Sequence, residues 1–346
     1  MASGKEVKAA FKKASAWGTA VAVTDDDVLL IKSEKLVKSV QHLPDDSAGQ
    51  AFHAQRDLGL ITCAGDVTAY LRYQGLEALL AMALGAAGAP TLVGSATAYQ
   101  HQLRPTGDTA GLFGTLALYK GVGVHEFASA KVDGFTISGE AGQPLTAVFH
   151  LICDDLAVNT TGGTNTVAAV TALADPATGG RVLFRQGQFL INDAGGAALD
   201  AATDSIAPNR FSLTFRRNLA GDHLAGGGDK IAEPTPAGFP EATLTLEFPT
   251  YTTDTYLTDL GADTRKKASI GFTGGEVESG TDYSLEVLLP HLVITNAEAA
   301  VNGAGKIAHP VTCALLAADA APAGMSGVTG PVALDLVNAR DTDPLA

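Results

Sequence analysis

Apolar residues along this chain recur in short runs with a polar residue at every second place, and Gly, Asn, Asp or Pro closes most runs. A period of two with such punctuation predicts β-strands joined by turns. The segments VLFRQGQFLI (182–191), RFSLTFRRNL (210–219), EATLTLEF (241–248), KKASIGFTG (266–274), YSLEVLLPHLVIT (283–295) and VALDLV (332–337) follow it. Earlier in the chain, Val28 to Ile31 and Leu36 to Val40 are runs of strand length, and residues 125–156 alternate about a turn at GEAGQP (139–144). The polar segment HLPDDSAGQAFHAQRD (42–57) has no clear period and reads as a long exposed loop or an extended hairpin.

One stretch departs from this pattern. From Asp66, a favourable N-cap residue, VTAYLRYQGLEALLAMAL runs to Gly85, a favourable C-terminal stop. Val67, Leu71, Leu79 and Met82 fall close to one face, with Arg72 and Glu77 away from it, so the pattern predicts a helix lying flat on a sheet. TYTTDTYLTDLG (250–261) is a shorter helix candidate.

The two halves share a motif order. Gly134-Phe135-Thr136-Ile137-Ser138, a turn and Pro144-Leu145-Thr146-Ala147 correspond to His291-Leu292-Val293-Ile294-Thr295, a longer turn and Pro310-Val311-Thr312-Cys313. Upstream, Gly114-Thr115-Leu116-Ala117-Leu118 corresponds in placing to Ala268-Ser269-Ile270-Gly271-Phe272. The fold class expected is mainly β, a sandwich or barrel with a flanking α-helix, in two tandem similar units. The boundaries expected are an N-terminal arm over 1–27, unit 1 over 28–156, a Thr/Gly-rich linker over 157–180, unit 2 over 181–320 and a C-terminal segment over 321–346.

Composition narrows the function. With 346 residues, 46% of them hydrophobic, and a mean hydropathy of +0.16, the chain can bury a substantial core. A net charge of −14 repels phosphate backbones, which excludes a nucleic-acid binder held by counterion release. Cys63, Cys153 and Cys313 are too few and too widely spaced for a disulfide framework or a zinc pattern and read as buried free thiols. The basic N-terminus has no following apolar region, so no secretory signal is expected, and the apolar stretch 76–94 is broken by Glu77, Gly85, Gly88 and Pro90. Synthesis in the cytoplasm and no membrane association are therefore expected.

Catalytic patterns appear only as fragments. His125-Glu126-Phe127-Ala128-Ser129 starts like a zinc-protease motif, but Ser129 stands where the second imidazole is needed. Gly121-Val122-Gly123 lacks a third glycine, and Gly305-Lys306 is followed by Ile307 rather than a hydroxyl. The acid pairs Asp45-Asp46 and Asp154-Asp155 are sequence neighbours, which a strand points to opposite faces. Asn159-Thr160-Thr161 fits a glycosylation pattern that has no meaning without secretion. Neither an enzyme, nor a metal, nor a cofactor is expected.

Taken together, four stretches resemble the tube proteins of long, non-contractile bacteriophage tails: GKEVKAAFKKASAWGTAVAV leading into DDDVLLIKSE, LRYQGLEALLAMALG (71–85), VHEFASAKVDGFTISGEAGQPLTAVFHLICDDL (124–156), and RVLFRQGQFLIN (181–192) with FSLTFRRNL (211–219) and Ile231-Ala232-Glu233-Pro234. This resemblance implies a virion protein whose copies pair sheet edges around a ring and stack into a tube through which DNA passes unbound. An acidic duct would help that passage. A duplicated chain implies trimeric rings of pseudo-sixfold symmetry; an unduplicated one implies hexamers. Other tail proteins, such as the tape measure and the terminator, are the implied partners. Another β-rich virion ring protein (terminator, baseplate or decoration protein) is the alternative. Candidate interface residues are Asp45, Asp46, His53 and Arg56 in the 42–57 loop, and Phe11 and Trp17 as apolar anchors in the arm.

Overall fold

The computed structural model describes residues 3–49, 51–53, 55–159, 161–226, 228–301 and 303–346. Met1 and Ala2 of the expected arm, Gln50 and Ala54 of the 42–57 segment, Thr160 of the glycosylation pattern and Gly227 of a glycine-rich loop lie outside the described residues. The first half contributes strands β1 (Lys8–Lys13), β2 (Val28–Leu29), β3 (Ile31–Glu34), β4 (Val37–Pro44) and β5 (Arg56–Tyr70), then helix α1 (Glu77–Leu84), then β6 (Tyr99–Pro105), β7 (Gly114–Tyr119), β8 (Val124–Glu140) and β9 (Thr146–Cys153). A short helix α2 (Val167–Ala172) precedes β10 (Gly187–Asp193), β11 (Arg210–Arg216), β12 (Glu241–Phe248), helix α3 (Thr255–Ala262), β13 (Arg265–Glu278), β14 (Thr281–Asn296), β15 (His309–Leu315) and β16 (Ala333–Asn338). The protein is mainly β, with helices on the flanks of the sheets.

Strand pairing follows one order twice. In the first half the antiparallel ladder runs β1, β7, β8, β9, β5, β3. In the second half it runs β10, β13, β14, β15, β12, β11. A helix bridges β5 to β7 and another bridges β12 to β13. A single 3-10 turn, Gly4–Glu6 or Phe184–Gln186, precedes the first strand of each ladder. The correspondence holds at residue level. Thr146 stands between Ser138 and Tyr70, while Thr312 stands between Asn296 and Thr245. Leu116 faces Phe11, and Ile270 faces Phe189.

Each ladder bends where one long strand leaves the first sheet for the second. On β8 the register shifts between Phe127 and Ala130, and on β14 the crossing falls at Pro290, opposite a shift between Lys266 and Ala268. A proline has no N–H to give a ladder, so it is tolerated at such an irregularity and not in a regular stretch. The two ladders join edge to edge, β8 from Gly134 to Glu140 against β11 from Arg216 to Arg210. The joined sheet therefore runs β3, β5, β9, β8, β11, β12, β15, β14.

One hydrophobic core lies behind this sheet and takes residues from both halves, from Phe11 and Val67 through Phe135 and Phe211 to Leu336. Phe184, Phe189, Phe211 and Phe272 pack ring against ring in it. Burial of each such side chain stabilises by roughly 1.5–3 kcal/mol.

Two expectations need correction. Residues 66–70 are strand, not helix: Val67 and Ala69 are buried while Asp66, Thr68 and Tyr70 face the other side, a period of two. Asp66 caps nothing; it lies 2.6 Å from His150 Nδ1 on β9. The helix begins only at Glu77, after Gly75 at φ 103°, and ends at Gly85, whose φ of 95° suits glycine. The expected arm is also integral. β1 pairs with both β2 and β7, and its lysines carry their ammoniums to the edge, Lys8 to the carbonyl of Leu173 and Lys13 to that of Leu345. Within 157–180, Asn165 and Val170 are buried, the former accepting from Val23 N–H and donating to Glu126.

Arg217 ties α1 to the sheet junction. It is 2% exposed and donates through Nε to Ala83 O (2.6 Å), through Nη1 to Thr106 O (2.5 Å) and through Nη2 to Leu84 O. Burial lowers its pKa to about 10, which leaves it charged at neutral pH. Substitution Arg217→Met takes this donor from Ala83 O and Thr106 O, while Leu84 O keeps Thr106 N–H, and we expect a loss of about 2–4 kcal/mol and a melting temperature lower by roughly 5–10 °C. A thermal melt within about 1–2 °C of the parent would contradict this role.

Candidate functional site

Side chains that point away from the core give the joined sheet a polar face built from hydroxyls. One row across the strands is Thr68, Val148, Thr136, Thr214 and Thr243; the next is Tyr70, Thr146, Ser138, Ser212 and Thr245. Thr136 and Thr214 bond at 3.2 Å, and Ser138 and Thr146 at 3.0 Å. Threonine serves here because its β-branch favours a pleated strand while its hydroxyl meets water. Charges lie above and below these rows, and most are paired. Arg210 reaches Glu140 at 2.9 Å and Glu247 at 3.6 Å, Arg216 reaches Asp133 at 2.9 Å, and His150 meets Asp66.

The joined sheet has two open ends. β3 pairs with β5 on one side only, and β14 beyond Val293 pairs only with β15. The strands wrap into one barrel-like body, yet this path of pairings does not return on itself among the described residues. Unpaired backbone at a sheet end is a template for another strand.

The 42–57 segment is the tip of the β4–β5 hairpin, which runs on beyond the joined sheet. Asp45 N–H donates to Gln55 O, and His53 Nδ1 lies 3.0 Å from Asp45 O and 3.5 Å from Asp46 Oδ1. Arg56 stands across from Pro44. Apolar side chains on this hairpin face solvent, with Phe52 88% and Leu58 69% exposed. The structure thus gathers Asp45, Asp46, His53 and Arg56 at one projecting tip. It places Phe11 and Trp17 elsewhere: Phe11 is buried in the core of its own chain, and Trp17 stacks edge-on to Phe113 at 5.2 Å and donates to Ile231 O. An alternation of lysines with small residues resembles a solvated arm, which is why the buried face of β1 went unread.

The remaining chemical candidates are dispersed. His125, Glu126 and Ser129 share the single strand β8, and among the described residues no three His, Cys, Asp or Glu side chains are grouped to hold a metal ion. Asp154 is buried, accepts from Ser129 N–H at 2.9 Å and has a raised pKa through burial; Asp155 pairs with Lys38 and Lys230. All three cysteines are buried and free, and Cys63 stands directly across from Cys153. No helix among the described residues is long and apolar enough to cross a membrane. The polar face and the sheet ends were missed in the sequence, although the alternation FTIS, SLT and TLT (135–138, 212–214, 243–245) carries the signal for the face.

The chain is thus a β-rich body with one hydroxylated sheet face and strand edges left unpaired among the described residues. The sequence profile for phage tail tube proteins matches residues 4–325, and the chain belongs to that family. The family is a structural one, a component of the virion tail, and not a family of enzymes. No curated protein matches the chain significantly.

The junction between the halves is tight at Gly134, where an added Cβ would sit 2.1 Å from Phe215 O and 2.9 Å from Arg216 Cα. These are backbone atoms and cannot swing aside. Gly134→Ala is expected to cost about 2–3 kcal/mol by forcing β8 from β11. Denaturant unfolding checks it, and an unchanged midpoint would show that the junction yields freely.

Proposed function

We propose that this chain is the major tail tube subunit, that three copies form each ring, and that the rings stack around a lumen through which the genome passes. The observation that carries this reading is the twice-repeated ladder ending in two open edges. A single chain already joins two equivalent units edge to edge through β8 and β11. Repeating that join between copies leaves no free edge once the sheet closes, and closure is what removes the hazard of exposed strands. Two units per chain make a trimer the counterpart of a sixfold ring.

The hydroxylated face would line the lumen. Its arginines Arg210 and Arg216 are each held by carboxylates, Glu140 and Glu247 for the first and Asp133 for the second, so the face keeps an acidic balance and leaves neither arginine free for phosphate. Hydroxyls exchange bonds with water readily and offer no cationic hold on phosphate. Stacking falls to the β4–β5 hairpin, where Leu43, Phe52 and Leu58 offer apolar contact rimmed by Asp45, Asp46, His53 and Arg56.

Electron microscopy of the purified protein should show rings of uniform diameter, stacked, with three chains per ring and pseudo-sixfold density. Monomers persisting at high concentration would end the tube reading, and six chains per ring would end the trimer. A chain carrying Leu43→Ser and Phe52→Ser should keep its melting temperature and form rings that fail to stack. Tubes of normal length from that variant would remove the hairpin from the ring-to-ring contact.

A further inference from the structure

We infer that Cys63 and Cys153 are a redox-active pair, which a peroxide closes into a disulfide stapling β5 to β9 at the fork where the β4–β5 hairpin leaves the joined sheet. The inference concerns the single chain and does not rest on the tube reading.

The position of the pair carries it. β9 accompanies β5 from Tyr70 back to Cys63, where Cys153 forms the last rung of that ladder. Beyond this rung β5 runs on with β4 as far as Arg56. On the side that β9 has left, Ile61 N–H donates to Asp229 O at 2.7 Å, a contact from an irregular loop. Terminal rungs open before central ones, so a covalent bond here acts on the root of the hairpin.

The geometry permits the bond. Facing residues on neighbouring antiparallel strands keep their Cα atoms about 4.5–5.5 Å apart and their side chains on one face. A disulfide spans Cα separations of about 4.4–6.8 Å, so this rung can be bridged without parting the strands. Both side chains belong to the core, Cys63 2% exposed and Cys153 0%. Cys313 is a natural control, since it faces Leu244 on one side and Ile294 on the other.

The surroundings distinguish the two sulfurs. A hydrogen bond from Cys153 S–H draws the Cys63 thiol below its ordinary value, against burial and the nearby Asp155 and Asp154. Lys38 stands across from Cys63 on β4 and adds to the lowering, while its ammonium pairs with Asp155 at 2.6 Å. The same thiol contact and burial hold Cys153 well above its ordinary value. Cys153 is also pinned through the next residue: Asp154 N–H donates to Ser129 O at 3.0 Å, and Asp154 Oδ1 accepts from Ser129 N–H at 2.9 Å.

Cys63 is therefore the attacking sulfur and Cys153 the resolving one. Hydrogen peroxide is little larger than water and reaches the pair as this terminal rung frays. The Cys63 thiolate attacks one peroxide oxygen, the O–O bond breaks, and hydroxide leaves with the proton that Cys63 gave up. Cys153 then attacks the resulting sulfenic acid; the S–S bond forms, the S–O bond breaks, and the hydroxyl departs with the Cys153 proton as water. In sum, two thiols and one peroxide give one disulfide and two waters. Thiol reductants reverse the bond by exchange. Neighbouring thiols can also serve only as compact core filling. The test separates these roles.

The full chain, purified under reductant and then freed of it, is treated with equimolar hydrogen peroxide. Its intact mass should fall by two hydrogens, and the thiols titrated in denaturant should drop from three to one. Peptide mapping should join the segments that hold Cys63 and Cys153. The bridged chain should melt roughly 3–8 °C higher, with the parent value restored by dithiothreitol. Amide hydrogen exchange over residues 58–64 should slow by at least about tenfold on bridging. Cys63→Ser and Cys153→Ser should show none of these changes. Three thiols surviving the peroxide, oxygen gained at Cys63 without a bridge, or a bridge that includes Cys313 would each overturn the pair. A bridge that forms and leaves exchange over the hairpin root unchanged would overturn the staple. Mass, thiol count and exchange are all read on the parent chain, so a variant that fails to fold leaves the test intact.

Discussion

A β-strand carries as many hydrogen-bonding groups on its outer edge as on its inner one, and a sheet that ends in water leaves one row of them unmet by protein. Most of this molecule can be understood as a response to that constraint. The long strands β8 and β14 each serve two sheets, with the backbone bent at a register shift so that no interior edge is wasted. The join between the halves is held closely enough that Gly134 leaves no room for a methyl group, and Asp133 beside it accepts from Leu219 N–H and pairs with Arg216. What is left over is one edge at each end of the joined sheet. Those two ends are the reason the proposed assembly runs through backbone pairing.

The strands of the second half were legible because their chemistry is contrasted. In EATLTLEF every second residue is apolar and the flanks are proline, glycine or acid, and the strand observed, Glu241–Phe248, has the same bounds. The segment from Asp66 was misread because Val67, Leu71, Leu79 and Met82 sit at intervals that fit a helix, while the alternating small residues that mark the strand, Thr68 and Ala69, carry little contrast. The repeat was legible for the same reason as the second-half strands: Pro144-Leu145-Thr146-Ala147 and Pro310-Val311-Thr312-Cys313 occupy equivalent places in their ladders.

The candidate site was only partly visible. The 42–57 segment declares itself by its polarity and lack of period, and its four named residues do share one tip. Phe11 reads as an exposed anchor for a physical reason: an aromatic among lysines looks solvated until the lysine stems are seen to run along the surface and leave the ring inside, whereas Trp17 is half-buried against Phe113. The open edges could not be read from sequence at all. Whether a strand is central or terminal depends on pairings between residues far apart in the chain, such as Gly134 with Arg216, and no local pattern encodes them.

Carrying both units on one polypeptide has a kinetic consequence. In the trimeric ring proposed above, half of the seams would be intramolecular and form during folding, at an effective concentration set by the connection over residues 154–186 between β9 and β10 and not by how much protein the cell has made. Only the other half must wait for diffusional encounter. A ring so built would pass through fewer incomplete intermediates in which an edge lies bare, and its two kinds of seam would be free to diverge, one tuned for permanence and the other for timing.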